Sequence, residues 1–375
     1  MSKQRIAFFL PNLYGGGAER VSVNLLKGMV NNENLILDLV LGIAEGSFTE
    51  QVPEGVNVVN LKSPRVATAI LPLVKYLKTV QPDALLSHLG HANVIALFAN
   101  KLAGSKTRLV VVEHNTLSVA DATSIRAKIT PWFMKQFYPS ADVIVGVSQG
   151  VSTDLERQLG FDRGTVTTIY NPVIDRELLA KSKMEVDHPW LQSGEIPVFL
   201  SVGRLTAQKD FANLIRAFAL VREQKATRLI ILGEGELRPQ LEELALELGV
   251  KEDIDLPGFA DNPYGYMNRA TAFVLSSRYE GLPTALIEAM ACGCPIVSTD
   301  CPSGPQEILS GGKYGALVPI QDSKSLAEEM LNVLERPRSQ DILQQRAKMF
   351  ATEHIVPQYL ETLLGNKNSQ TDTIN

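Results

Sequence analysis

Val198-Phe-Leu-Ser-Val-Gly-Arg-Leu-Thr-Ala-Gln-Lys-Asp-Phe211 reads as a complete strand–turn–helix junction. Val198–Val202 is a short β-rich apolar run, Gly203 breaks it, and an amphipathic helical pattern opens at Phe211 and runs to Glu223. A strand apolar on both faces that feeds a helix is the unit of a covered parallel sheet. The same grammar continues downstream. Strands are expected at Arg228–Leu232, Ile254–Leu256, Ala272–Leu275, Pro295–Ser298 and Ala316–Val318. Helices are expected at Leu237–Leu248, Pro283–Ala291 and Ser323–Leu334. Upstream it has already run once: strands Arg5–Leu10, Leu35–Leu41, Val56–Leu61, Ala84–Ser87, Leu109–Val112, Val143–Val147 and Val166–Ile169. Helical patterns Ala18–Val30, Val66–Val80, Ala92–Leu102 and Ser148–Leu159 lie between them. Asn-Pro, Asp-His-Pro and Ser-Gly interrupt the period between Asn171 and Pro197, as an interdomain connection would. The expectation is two doubly wound α/β domains in tandem, 1–175 and 197–340, joined by a linker 176–196. A helical segment 341–365, able to return to the first domain, precedes a polar tail 366–375 expected to be disordered.

Composition agrees with that architecture. A chain of 375 residues suggests two or three domains, and 45% hydrophobic with 21% charged residues excludes collagen-like and disordered classes. No apolar run approaches the roughly 18 residues that would cross a bilayer, and Lys3–Leu10 is too short for a secretory signal. A cytoplasmic location is expected. Cys292, Cys294 and Cys301 are an odd set with no histidine nearby, so buried reduced thiols are expected rather than disulfides or zinc. The net charge of −5 argues against nucleic acid as a partner. It is unevenly spread: 17 Lys+Arg face 15 Asp+Glu through residue 180, and 19 face 26 beyond it. The two halves should therefore meet different partners.

Ligands of doubly wound sheets bind beyond the carboxyl ends of the strands, so those loops carry the chemistry. Gly15, Gly16 and Gly17 open a helix after the first strand, where bare backbone N–H groups can approach an oxygen-rich ligand. Arg20 and Arg238 stand where a dinucleotide fingerprint needs its third glycine, so neither Gly15–Gly17 nor Gly233-Glu-Gly235 supports a dehydrogenase. Gly203, Arg204 and Lys209 put two cations on one strand-end loop, a pairing suited to a diphosphate. Ser276-Ser-Arg-Tyr-Glu-Gly-Leu-Pro-Thr-Ala-Leu-Ile-Glu288 starts a helix near Pro283, whose free N–H groups favour an anion beside Gly281, Leu282, Pro283 and Thr284. Glu288, the only charge between Gly281 and Thr299, needs a partner; ligand hydroxyls or a protein donor would both serve. His114 and Asn115 follow Leu109–Val112, and His88 and His91 follow Ala84–Ser87.

Together these segments resemble the retaining GT-B glycosyltransferases of family 4 (group 1), over about residues 4–362. The resemblance rests on Gly-Gly-Gly-Ala-Glu-Arg20, Val202-Gly-Arg-Leu with Gln-Lys-Asp210, Gly233-Glu-Gly-Glu-Leu237, and Glu280 and Glu288 with seven residues between them. It implies two Rossmann-like domains facing each other across a cleft, the second holding a nucleotide-sugar and the first the acceptor. On that basis Arg204 and Lys209 match the diphosphate pair, and Gly203, Gly233, Glu236 and Leu237 line the nucleotide. Phe259 lies beside the base, and Gly281–Thr284 lie beside the phosphates. Glu288 matches the ribose-binding glutamate, and Glu280 the glutamate near the transferred sugar. His114 matches a histidine facing the reacting sugar, with Gly15–Gly17, His88, His91 and Asn115 on the acceptor side.

The implied reaction is transfer with retention, catalysed by Glu280 and His114. Charge on the departing nucleoside diphosphate would be met by Arg204, Lys209 and the helix start, so no metal or other cofactor is expected. Asp253-Ile-Asp255 falls on an expected strand and reads as incidental. The donor implied is a UDP-hexose or UDP-N-acetylhexosamine, with GDP-mannose as the other nucleotide. The acceptor implied is a glycan, polyprenyl-diphosphate-linked, in bacterial lipopolysaccharide or polysaccharide assembly at the inner face of the membrane. A GT-B nucleotide-sugar epimerase and a non-catalytic sugar-binding protein are the alternatives. Ser124–Tyr138 combines Arg126, Lys128 and Lys135 with Trp132, Phe133, Phe137 and Tyr138, as a helix peripheral to an anionic membrane would. A helix packing its aromatics on the sheet is the competing reading.

Overall fold

The computed structural model describes residues 3–119 and 125–365. The tail 366–375 lies outside them, as do Ser124 and the side chains of Arg126 and Lys128 in the expected membrane-facing stretch. The chain divides into two compact α/β units. One runs to Pro172 and resumes at Thr352; the other is Val173–Ala351.

The first unit is built in order from β1 (Gln4–Leu10), α1 (Gly17–Met29), β2 (Leu35–Leu41), β3 (Val56–Asn60), α2 (Ile70–Val80), β4 (Ala84–His88), α3 (Gly90–Ala103), β5 (Arg108–Glu113), α4 (Ile125–Phe137), β6 (Val143–Gly146), α5 (Gln149–Leu159) and β7 (Val166–Thr168). Its seven strands are all parallel, in the order β3-β2-β1-β4-β5-β6-β7. Chain direction across the sheet reverses between β1 and β4. That switch point opens a crevice at the strand ends. Ile6–Leu10 are wholly buried because helices cover both faces of β1. Each such large side chain contributes about 2–3 kcal/mol of transfer free energy.

The second unit contains α6 (Arg176–Ser182), α7 (Pro189–Ser193), β8 (Val198–Val202), α8 (Phe211–Arg222), β9 (Arg228–Leu232), α9 (Arg238–Glu247), β10 (Ile254–Gly258), α10 (Pro263–Arg269), β11 (Ala272–Leu275), α11 (Thr284–Ala291), β12 (Ile296–Thr299), α12 (Pro305–Ile308), β13 (Ala316–Val318), α13 (Ser323–Glu335) and α14 (Gln340–Ala347). Its six parallel strands run β10-β9-β8-β11-β12-β13, with the switch between β8 and β11. Phe199, Phe211, Phe218 and Val274 belong to its core.

Two stretches differ in detail from the sequence reading. Residues 176–196 carry α6 and α7 and belong to the second unit instead of forming a bare linker. Asp175 caps α6 through Leu178 N–H, while His188 caps α7 through Trp190 N–H with Pro189 at its first position. The proline that looked like an interruption starts a helix. His188 is further held by Asp255 at 2.9 Å. The segment 341–365 is divided: α14 stays with the second unit, whereas α15 (Thr352–Leu364) belongs to the first. A side-chain carbon on Gly28 of α1 would lie 2.6 Å from Val356 Cγ2, so only glycine admits α15 there. Arg108 Nε donates to the Thr362 carbonyl at 2.9 Å.

Candidate active site

In the second unit, the loops after β8 and β11 flank the switch point and are tied to each other. Lys209 Nζ donates to Glu280 Oε1 at 2.6 Å, and Ser277 Oγ donates to the same oxygen at 2.6 Å. Glu280 is 7% exposed. Its Oε2 makes no bond to any described residue. Ser276 Oγ donates to the Lys209 carbonyl at 2.7 Å, and Gln208 Nε2 to the Tyr279 carbonyl at 3.0 Å. Arg278 grips Asp210 with Nε at 2.8 Å and Nη2 at 3.2 Å, a fork on a carboxylate. Asp210 adopts φ +48° at the head of α8, a left-handed conformation that the Arg278 clamp helps hold. Arg204 projects exposed from the same loop. The lysine and the glutamate are thus one unit, 71 residues apart in sequence.

The loop after β9 lies against this one. Leu205 N–H donates to the Glu234 carbonyl at 2.9 Å, and Leu237 N–H to the Leu205 carbonyl at 3.1 Å. Gly233 has φ +136°, and a β-carbon there would fall 2.0 Å from the Gly203 carbonyl oxygen; at Gly235 it would fall 2.4 Å from that of Leu205. The two glycines are therefore required by close backbone approach. Glu236 is exposed and Leu237 half-buried on this loop. Beside it Gly233 N–H donates to the Gly258 carbonyl at 2.7 Å, and Phe259 follows with 78% of its surface exposed. A large aromatic left bare next to a ligand-side loop is available to stack on a planar group.

Helix α11 starts one residue after Pro283, and no side chain caps it. Gly281, Leu282 and Pro283 are buried and Thr284 is half-buried. Ser303 Oγ donates to the Gly281 carbonyl at 2.7 Å and braces the turn. The first-turn N–H groups, uncapped by any side chain, carry the positive end of the helix dipole. Glu288 lies in the second turn, 3% exposed; burial, with a smaller contribution from the Glu288 charge, pushes the Cys292 thiol up to about 12. All three cysteines are buried and unlinked. Asp253 pairs with Arg222 at 2.7 Å and Asp255 with His188, both toward the start of β10 and away from the strand ends.

The first unit has its own strand-end constellation. Gly15 and Gly16 before α1 and Gly17 at its first position are exposed, while Leu13 exchanges backbone bonds with Glu45 at 2.9 Å and Phe48 at 3.2 Å. His88 ends β4 completely buried, and its Nδ1 lies 2.9 Å from Nε2 of His114. His114 and His91 are half-buried and Asn115 is exposed. Burial pushes His114 down to about 4 and His88 well below the usual imidazole range, so both rings are neutral near pH 7.

Residue types alone left out Asp210, Arg278, Ser276 and Ser277, and a buried trio beneath the histidines. Tyr138 donates its hydroxyl to Glu113 Oε1, and Asn93 Nδ2 donates to the same oxygen at 2.7 Å and to the Val112 carbonyl at 3.0 Å. Burial raises the Glu113 carboxyl to about 7. The unfolded chain ionises this group near 4.5, so the folded state keeps its proton longer and stability falls as pH rises from about 4.5 through 7. The full effect is about 3 kcal/mol. Glu113→Gln does not titrate. Its melting temperature relative to wild type should therefore rise by several degrees between pH 5 and pH 8 in parallel thermal melts. A difference independent of pH would contradict the raised carboxyl.

Residues 15–177 match Glycosyltransferase Family 4, and residues 185–350 match Glycosyl transferases group 1. Over 385 residues the chain is 31% identical to the N-acetylgalactosamine-N,N'-diacetylbacillosaminyl-diphospho-undecaprenol 4-alpha-N-acetylgalactosaminyltransferase of Campylobacter jejuni, covering 96% of this chain and 100% of that one. A second Campylobacter jejuni enzyme is 26% identical over 97% and 99% of the two chains. Its name describes an alpha-1,4-N-acetyl-D-galactosaminyltransferase for a GalNAc-bearing diNAcBac-PP-undecaprenol. Among solved structures, Anabaena HepE with UDP and glucose superposes with a TM-score of 0.77 at 22% identity, over 96% of this chain and 100% of that one. The lipopolysaccharide outer core galactosyltransferase WaaB follows at 0.74 and 22%, over 96% and 99%.

Proposed function

This chain belongs to the family 4, group 1 glycosyltransferases of GT-B fold, and from that premise we propose that it transfers a sugar, with retention, from a UDP-sugar to a polyprenyl-diphosphate-linked glycan. A UDP-N-acetylhexosamine is the preferred donor, since the two Campylobacter relatives named above are N-acetylgalactosaminyltransferases. The observation that carries the reading is the Lys209–Glu280 pair at the β8/β11 switch, next to the uncapped start of α11.

The site's chemistry follows from where charge develops. When the bond from the sugar to the diphosphate breaks, negative charge collects on the β-phosphate. Arg204, Lys209 and the first-turn N–H groups of α11 are the donors that would meet it. Glu280, whose Oε1 is committed to Lys209 and Ser277, keeps Oε2 for a hydroxyl of the transferred sugar. Its charge also favours an oxocarbenium-like centre. Glu288 holds the ribose hydroxyls and Phe259 stacks against the base. In a same-face reaction the leaving phosphate takes the acceptor proton, which removes the need for a separate base. Because protein cations neutralise the diphosphate, UDP should bind equally well in calorimetry with and without excess EDTA, and more tightly than GDP. Binding that requires Mn²⁺, or a preference for GDP, would contradict this.

The acceptor's lipid calls for contact of the first unit with a membrane. Helix α4 divides its side chains as that role needs. Met134 and the following Tyr138 are fully buried, while Ile129, Trp132 and Phe133 are 46%, 60% and 38% exposed along one face. Trp132 and Phe133 stack edge to face at 4.9 Å. No helix among the described residues is long and apolar enough to cross a membrane. Shallow insertion of these aromatics plus about 1 kcal/mol per basic residue gives reversible, salt-sensitive attachment. Wild type should sediment with anionic liposomes at low salt only, and Trp132→Ser with Arg126→Glu, Lys128→Glu and Lys135→Glu should stay in solution. Equal sedimentation of both proteins would overturn the membrane role.

A further inference from the structure

His88 Nδ1 and His114 Nε2, 2.9 Å apart, share one proton, and the surroundings decide which ring owns it. His88 is completely buried at the end of β4, and its Nε2 has no hydrogen-bond partner among the described residues. If His114 donated its Nε2 proton to His88 Nδ1, the neutral His88 would have to carry its own proton on Nε2, as a buried N–H with no acceptor. Such orphaned donors are rare in folded proteins because the desolvation cost is not recovered. If His88 instead donates from Nδ1, its buried Nε2 is only a bare lone pair. A doubly protonated ring at either position is opposed by burial. The second arrangement leaves His114 one choice: its Nε2 accepts, so its proton sits on Nδ1. That nitrogen bonds no described residue, and His114 is half-buried at the strand end.

We propose that His88 is a positioning residue that fixes the tautomer of His114, so that His114 presents a neutral Nδ1–H donor to an oxygen of a bound sugar. A second feature fits a turn shaped for this purpose. Leu89, immediately after His88, has φ +77°, a conformation costly for leucine, and its N–H donates to the Val112 carbonyl at 3.3 Å. The kink ends β4 abruptly and leaves His88 beside the residue that follows β5. His114 in this state is a donor and not a base. The assignment agrees with the proposed transferase chemistry, in which the leaving phosphate takes the acceptor proton, and its catalytic consequence rests on that reading.

The test is a long-range proton–nitrogen correlation spectrum of the full-length protein labelled with ¹⁵N-histidine, His114 being assigned by loss of its signals in His114→Gln. The expected spectrum shows His114 protonated at Nδ1 and bare at Nε2 at pH 7.5. His88→Leu should lose this fixed tautomer and lower kcat at least ten-fold, with donor KM within three-fold of wild type. His88→Asn places an amide donor where Nδ1 was, and should restore both the spectrum and most of kcat. A wild-type His114 protonated at Nε2 would overturn the proposal, and so would an unchanged His114 spectrum in His88→Leu. The wild-type spectrum needs no variant and no substrate. Absence of transferase activity would therefore remove the functional reading alone and leave the tautomer to be decided on its own.

Discussion

Lys209→Ala is expected to lower kcat at least 100-fold, about 2.7 kcal/mol of barrier, whereas Arg204→Ala should cost about ten-fold. The two cations looked equivalent as a diphosphate pair, and their surroundings separate them. Arg204 is exposed and acts on phosphate alone. Lys209 also neutralises Glu280, so its removal leaves a buried carboxylate with only the Ser277 hydroxyl as donor. Both losses fall on the same transition state. Steady-state kinetics at saturating donor, with a thermal melt to confirm folding, checks this. Equal losses in the two variants would show that the ion pair has no catalytic weight.

The second large effect divides the two glutamates. Glu280→Ala should lower kcat by about 10²–10³-fold while leaving the Kd for free UDP within about three-fold, because Oε2 acts on the sugar. Glu288→Ala should weaken UDP by at least about 30-fold, about 2 kcal/mol, since ribose contacts persist from substrate to product. Combining Glu280→Ala with Lys209→Ala should cost much less than the sum of the single losses, as the pair acts as one group. Calorimetry with UDP and turnover measurements on the same preparations read both quantities. Equal loss of UDP affinity in the two single variants would contradict the division.

These expectations show what local pattern conveys and what it withholds. Val198–Val202, Arg228–Leu232, Ala272–Leu275 and Leu35–Leu41 fall where the apolar runs placed them, because a strand covered on both faces has no polar alternation to blur its limits. Helices α6, α7 and α10 were not legible. They are short, and their caps at Asp175, His188 and Asn262, with prolines at the first position of two, read as turn signals when taken alone. The expected helix Val66–Val80 begins instead as a 3₁₀ turn, Val66–Ala69, ahead of α2. Reading the strand ends singled out Lys209, Glu280 and His114. Their partners come from distant loops: Asp210 with Arg278 is separated by 68 residues and His88 with His114 by 26. Periodicity carries no information on such pairings. Arg278 and Asp210, opposite charges on the two loops flanking a switch point, were the one visible hint.

The proposed reaction is sugar transfer with retention onto a lipid-linked glycan. The most direct measurement is incubation of the purified protein with UDP-N-acetylhexosamines and a short polyprenyl-diphosphate oligosaccharide, followed by mass spectrometry and proton NMR of the lipid product. The expected result is one added sugar per lipid, UDP released in equal amount, and an anomeric configuration identical to that of the donor. UDP released without elongation of the lipid, or a product of inverted configuration, would contradict it.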